Sequence, residues 1–179
     1  MNKSKIRNKI LKIRKKNFFK INQINYQSIV KTLRKNKFKT KNIGGYYAYN
    51  YEMNIIPILE KLEKLNYSIS LPKINKNSSM NFFHWSTKDP LKINKYGIPE
   101  PVSLKIKYPD ILLVPLLAYD NDLNRIGYGG GFYDRYIGRL RKKKKIITIG
   151  LAYSFQKVKK IPTNRHDIRL DFVITEKDR

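Results

Sequence analysis

The residues from Asp120 to Arg135 read Asp-Asn-Asp-Leu-Asn-Arg-Ile-Gly-Tyr-Gly-Gly-Gly-Phe-Tyr-Asp-Arg. Glycine fills Gly127, Gly129, Gly130 and Gly131, four of five consecutive positions. A backbone without Cβ atoms turns tightly and lets an anion approach its N–H groups. The helical pattern that follows adds unpaired N–H donors and a partial positive charge at its start. Arg125 and Arg135 can grip phosphate oxygens bidentately. Asp134 offers the hard oxygen that Mg²⁺ takes, and that ion usually needs one or two carboxylates plus phosphate. The spacing is neither a Walker A loop nor a GxGxxG dinucleotide motif. On the residues alone, phosphate binding and a glycine-rich turn that holds nothing both remain open.

The elements around this loop follow from hydrophobic pattern. Ile111-Leu112-Leu113-Val114, Ile146-Ile147-Thr148-Ile149 and Phe172-Val173-Ile174-Thr175 are short apolar runs of the kind buried on both faces of a parallel sheet. Residues 3–16 form an amphipathic helix with Ile6, Ile10 and Ile13 on one face and Ser4 as a candidate N-cap. A basic transit peptide competes with that reading, without a small-residue cleavage pattern to support it. Further helices are expected at 23–35, with Ile24, Val30 and Leu33 inward, and at 52–65, with Ile55, Ile56, Leu59, Leu62 and Leu65 inward. Another follows at 131–141. Tyr46, Tyr47, Tyr49 and Tyr51 suggest a buried strand running into a loop. Strands are expected at 67–72, stopping at Pro72, and at 80–85; 73–79 reads as a polar turn and 96–101 as an ordered loop. Helices alternating with buried strands mean α/β, as one domain over residues 1–179: a three-layer α/β/α arrangement around a mostly parallel sheet.

Composition removes several classes. The 179 residues contain no Cys and two His, which excludes disulfide scaffolds, cysteine nucleophiles and Cys/His metal clusters. No stretch approaches the roughly 18 apolar residues of a membrane span. With 39 Lys+Arg against 13 Asp+Glu the formal charge is +26. Such charge suggests nucleic acid. The lysines are scattered through every segment beside abundant Ile and Asn, a pattern that A/T-rich codons produce without any anionic partner. The distribution therefore argues against nucleic acid as the partner, and an anionic small substrate suits the charge as well.

A longer pattern surrounds the loop. Leu113-Val114-Pro115-Leu116-Leu117-Ala118-Tyr119-Asp120 followed by Arg125 to Arg135 resembles the signature of 5-formyltetrahydrofolate cyclo-ligases, or methenyltetrahydrofolate synthetases. Lys3-Ser4-Lys5-Ile6-Arg7 resembles that family's ATP-binding start, and Tyr46 to Glu52 its folate segment. Phe83, Trp85 and Tyr96-Gly97-Ile98-Pro99-Glu100-Pro101 resemble its central block. Ile161-Pro162, His166-Asp167 and Ile174-Thr175-Glu176 resemble its C-terminal block. Phe132 stands where Tyr is common, Ile126 where Leu is usual and Leu116 where Gly often occurs.

The resemblance implies a fold like that of sugar-phosphate isomerases and CoA-transferases. It also implies ATP- and Mg²⁺-dependent closure of 5-formyltetrahydrofolate to 5,10-methenyltetrahydrofolate in the cytoplasm, by a monomer acting on small molecules without a membrane. Carried over by position, Lys3, Ser4, Lys5, Ile6, Arg7, Arg125, Ile126, Gly127, Tyr128, Gly129, Gly130, Gly131, Phe132 and Tyr133 bind ATP. Tyr47, Glu52, Trp85, Tyr128, Gly129, Gly130, Gly131 and Phe132 hold the folate. Asp134 and Asp167 take magnesium, and Arg125, Tyr133 and Asp134 are catalytic. Glu52 could equally be a carboxylate favoured near the start of helix 52–65, and Asp134 one in a helix's first turn. Any single aromatic could be core. His84 and His166 read as structural. Two other classes remain: an RNA-associated protein, resting on charge, the basic run Arg139 to Lys145 and the tyrosines, and a sugar-phosphate isomerase or CoA-transferase-like enzyme of the same fold.

Overall fold

The computed structural model describes residues 2–18, 24–75 and 79–178. In chain order the elements are α1 (Lys3–Asn17), α2 (Tyr26–Lys35), β1 (Asn42–Gly44), α3 (Ile56–Lys64), β2 (Ser68–Ile74), β3 (Met80–His84), β4 (Leu91–Ile93), β5 (Pro99–Pro101), β6 (Ile106–Lys107), β7 (Ile111–Pro115), β8 (Ala118–Tyr119), β9 (Arg125–Ile126), α4 (Phe132–Arg141), β10 (Ile147–Leu151) and β11 (Phe172–Ile174). The central sheet has the order β11-β10-β7-β1-β2-β3-β6. Its pairs from β11 to β2 are parallel, and the β2-β3 and β3-β6 pairs antiparallel. The sheet is thus mostly parallel, as the unbroken apolar runs require.

Strand β7 shows why both faces must be covered. Ile111 and Leu113 join one core with Leu59 and Leu62 of α3 and Ile29 and Leu33 of α2. Leu112 and Val114 point the other way, into a core with Tyr136, Ile137 and Leu140 of α4. All four β7 side chains are fully buried, at about 1.5–3 kcal/mol each. A third cluster seats Ile6 and Ile10 of α1 against Ala118, Ile126 and Ile161.

Several local expectations shift. The N-cap of α1 is Asn2, whose side chain accepts the Lys5 N–H, rather than Ser4. The inward stripe of α1 is Ile6, Ile10 and Arg14, with Ile13 only partly buried. Helix α2 begins at Tyr26 behind its Asn25 cap, with Ser28, Ile29 and Leu33 as its buried residues; position 23 of the expected 23–35 lies outside the described residues. The expected 52–65 helix starts only at Ile56, with a proline in its first turn. Leu65 is exposed and Ile58 takes its place inside. Strand β2 runs through Pro72. Pairing with β1 has ended at Ser70, so Pro72 faces β3 alone and its missing N–H interrupts no central ladder. The tyrosine segment 46–51 lies beyond β1 as a loop rather than a strand. Positions 99–101 of the expected loop pair with β4, around a turn in which the Asn94 side chain accepts from Tyr96 N and Ile98 N. Residues 76–78 of the expected 73–79 turn lie outside the described residues.

Candidate active site

Beyond the carboxyl ends of β1 and β7 lies a cavity of 1520 Å³. Open α/β sheets bind ligands at that end of their strands. Lys3, Arg7, Tyr47, Glu52, Arg125 to Asp134, and Asp167 all line it, so residues far apart in sequence meet. Single-ligand pockets run to roughly 300–1,000 Å³; this one has room for two.

The floor is the glycine loop between β9 and α4. Gly129 sits at φ 107 and Gly131, the residue capping α4, at φ 65. Both are left-handed values that residues with a Cβ adopt at a cost. No side chain caps α4, which leaves its first N–H groups available to an anion. The Arg7 guanidinium lies 3.5 Å from where a Gly129 Cβ would stand, and Arg7 Nε donates to the Gly127 carbonyl (2.8 Å).

Lys3 and Arg7 are four residues apart on α1 and share one face. Ser4 and Lys5 point to solvent instead, and Ile6 is buried in the third cluster. Of the 3–7 segment, only the two cations line the cavity.

Lys3 Nζ holds Asp167 Oδ2 at 2.5 Å, and Asn164 N donates to the same oxygen (2.7 Å). Partial burial opposes ionisation of Asp167. The Lys3 and Asn164 contacts outweigh it and keep the carboxyl below its ordinary value. Asp134, in the first turn of α4, accepts at Oδ1 from Arg125 Nη2 (3.0 Å) and Ile168 N (3.1 Å). Arg125 Nη1 donates to the Ile168 carbonyl (2.6 Å). The Arg125 fork, expected to face phosphate, is therefore turned onto protein groups. It fixes Asp134 and joins β9 to the segment around Ile168.

Both carboxylates face the cavity with a second oxygen outside these contacts. Among the described residues no group of three or more His, Cys, Asp or Glu is suited to a metal. Each carboxylate offers a hard oxygen of the kind Mg²⁺ takes when water and phosphate complete its shell.

Glu52 lines the same cavity, beside Tyr128 of the glycine loop. It precedes α3 by four residues, so helix-dipole stabilisation does not account for it. It is 6% exposed and its Oε2 accepts the Tyr49 N–H (2.9 Å). Burial raises its pKa to about 7, against the opposing effects of the Tyr49 N–H and the Arg14 charge. Tyr46 and Tyr47 border it on the cavity wall, and the Tyr49 and Tyr128 rings meet edge to face at 5.7 Å. The Tyr133 hydroxyl is buried without a hydrogen-bond partner among the described residues. Burial, then the Glu52 charge, pushes its pKa far up, so it stays a proton donor.

Trp85 is the exception to the expected site. It is 3% exposed, sits in the α2/α3 core, and donates from Nε1 to the Asp89 carbonyl (3.2 Å). It does not line the cavity. The expected 80–85 strand ends at His84, and Trp85 just beyond it packs into the core. Two cations had no expected role, Arg14, which is 1% exposed, and Arg165 at the rim; Arg139 and Lys142, from the basic run read as support for RNA, line the same rim. An arginine continuing an apolar stripe at i, i+4, i+8 was the available signal for Arg14.

Fold and cleft together place the chain among α/β enzymes whose ligands sit beyond the ends of parallel strands. Two solved structures share that fold: the 5,10-methenyltetrahydrofolate synthetase of Aquifex aeolicus, with TM-score 0.75 and 28% identity, covering 99% of this chain and 91% of that one; and the synthetase of Mycoplasma pneumoniae, with TM-score 0.71 and 24% identity, covering 99% and 100%. The 5-formyltetrahydrofolate cyclo-ligase of Haemophilus influenzae is 34% identical over 139 residues, 74% of each chain. That of Mycoplasma genitalium is 40% identical over 135 residues, 75% of this chain and 72% of the other. The model of the 5-formyltetrahydrofolate cyclo-ligase family matches residues 1–176. The chain belongs to that family.

Proposed function

We propose that the chain converts 5-formyltetrahydrofolate to 5,10-methenyltetrahydrofolate, consuming ATP and releasing ADP and phosphate. The carrying observation is one cleft lined by Lys3, Arg7, the glycine loop and two carboxylates together with Glu52 and its tyrosines. A formamide oxygen is a poor leaving group. Its attack on the γ-phosphorus, with ADP departing, makes it a phosphate ester. N10 then attacks the activated carbon, the carbon–oxygen bond breaks and phosphate leaves with the N10 proton, closing the ring.

This chemistry asks the protein for alignment and charge stabilisation. Lys3, Arg7 and the loop N–H groups hold the triphosphate. Tyr133 donates a hydrogen bond at the reacting oxygens. Glu52 accepts from the pterin's amino and ring N–H groups, and Tyr47 flanks the ring system. Asp134 and Asp167 hold Mg²⁺, positioned by Arg125 and Lys3. That ion, when bound, neutralises phosphate charge. Arg139, Lys142 and Arg165 at the rim suit the anionic glutamate tail. Every group named lies in one chain, so a monomer suffices.

The test is the absorbance of methenyltetrahydrofolate formed by purified protein from 5-formyltetrahydrofolate, ATP and Mg²⁺. Product that needs both ATP and Mg²⁺ supports the proposal; no product, or product without ATP, overturns it.

A further inference from the structure

Arg14 is a charged side chain inside the protein, and none of the roles above uses it. Burying a guanidinium is costly unless its donors are met. Nη2 donates to the Leu116 carbonyl (2.5 Å), just past β7. Nη1 donates to the Tyr128 hydroxyl (3.1 Å), in the middle of the glycine loop. That hydroxyl donates onward to the Tyr49 carbonyl (3.2 Å). The Tyr49 N–H then binds the Glu52 carboxylate (2.9 Å), and Glu52 N–H returns to the Tyr49 carbonyl (3.0 Å). A continuous path therefore runs from α1 through the glycine loop to Glu52.

The turn at the far end does not hold itself without strain. Asn50 and Tyr51 both adopt left-handed backbone, φ 49 and 62, which costs a residue with a Cβ about 1 kcal/mol or more. Support from outside is needed, and the Tyr128 hydroxyl supplies it. Arg14 also brings positive charge toward a carboxylate that has little water.

We propose that Arg14 is a positioning residue: through the Tyr128 hydroxyl it clamps the Tyr49–Glu52 turn to the glycine loop and sets where the Glu52 carboxylate meets the pterin. The proposal rests on the function proposed above. It explains how the nucleotide half of the cleft and the folate half keep register although they come from chain segments about eighty residues apart. The groups facing Glu52 are Arg14 and the hydroxyls of Tyr46, Tyr128 and Tyr133. Burial holds those hydroxyls protonated, so Arg14 alone among them brings charge near neutral pH.

The experiment compares R14K, R14M and Y128F with the wild-type chain. The readouts are KM for 5-formyltetrahydrofolate, KM for ATP, the pH profile of kcat/KM and the thermal midpoint. Y128F keeps the charge and breaks the path. It is expected to raise the folate KM about tenfold, the value of one charge-assisted bond, with a smaller change in the ATP KM and no movement of the acid limb. R14M loses path and charge; the folate KM rises and the acid limb moves to higher pH, because Glu52 ionises less readily. R14K restores the acid limb without restoring KM. A Y128F folate KM within twofold of wild type, or equal rises in both KM values, overturns the proposal; so does an unmoved acid limb in a folded R14M. If R14M does not fold, Y128F and R14K decide. If the wild-type chain shows no turnover, the proposed function fails, and calorimetric titration of 5-formyltetrahydrofolate into Y128F and wild type decides for Arg14. Equal affinities, or no binding by either, overturn it.

Discussion

Glu52→Gln separates stability from binding. The Glu52 carboxyl titrates near 7 in the folded chain against an ordinary 4.5. A raised carboxyl pKa means that the folded state prefers the protonated form. Stability is then greatest below the ordinary value, falls as pH rises from about 4.5 to about 7, and stays low above it. At about 1.4 kcal/mol per pH unit, the rise corresponds to about 3 kcal/mol. Gln keeps an oxygen for the Tyr49 N–H and carries no charge, so the variant should escape this loss. Ligand-free E52Q is therefore expected to be more stable than wild type at pH 8 by up to about 3 kcal/mol, with little gain at pH 4.5. Each kcal/mol moves a melting midpoint of this size of chain by roughly 2–4 °C, well within the reach of thermal scans at the two pH values. The same variant should bind 5-formyltetrahydrofolate more weakly, because a neutral amide accepts poorly from two pterin donors. An E52Q less stable than wild type at pH 8 would refute the reasoning, since it would mean that the buried carboxylate is fully compensated by its surroundings.

Asp134→Ala should abolish ATP-dependent cyclisation while circular dichroism stays native. It should lower the melting midpoint modestly, because Arg125, 5% exposed, loses its carboxylate and keeps only the Ile168 carbonyl; unchanged turnover would remove Asp134 from the site. Gly129→Ala introduces a Cβ at φ 107 against Arg7 and should cost about 1–3 kcal/mol of stability and raise the KM for ATP, both absent if the loop turns freely. Trp85→Phe should lower stability without changing the folate KM, since Trp85 packs in the core; a tenfold KM rise would return it to the site. Turnover should follow Mg²⁺ and be far less steep in salt than binding to RNA would be.

How the site assembles was only partly legible from local pattern. Unbroken apolar runs announce strands buried on two faces, because side chains alternate and each direction needs a partner layer. The glycine loop announces itself because positive φ at Gly129 and Gly131 disfavours a Cβ, a demand written into one short segment. Those constraints act over a few residues, so a linear reading reaches them. The direction of Trp85, the paired state of Arg125 and the burial of Arg14 depend on what arrives from strands and helices elsewhere. Glu52 illustrates the division best. Its position near a helical pattern suggested a dipole contact, but the proline in the first turn of α3 delays the helix and leaves the carboxylate in a turn, where Tyr49, Tyr128 and Arg14 surround it. Residue types and their periodicity settle which segments are strand, helix or anion-ready loop, since those are short-range preferences. Which charges lose their water, and which partner each one then finds, is set by packing between distant segments, since desolvation is a property of the assembled interior.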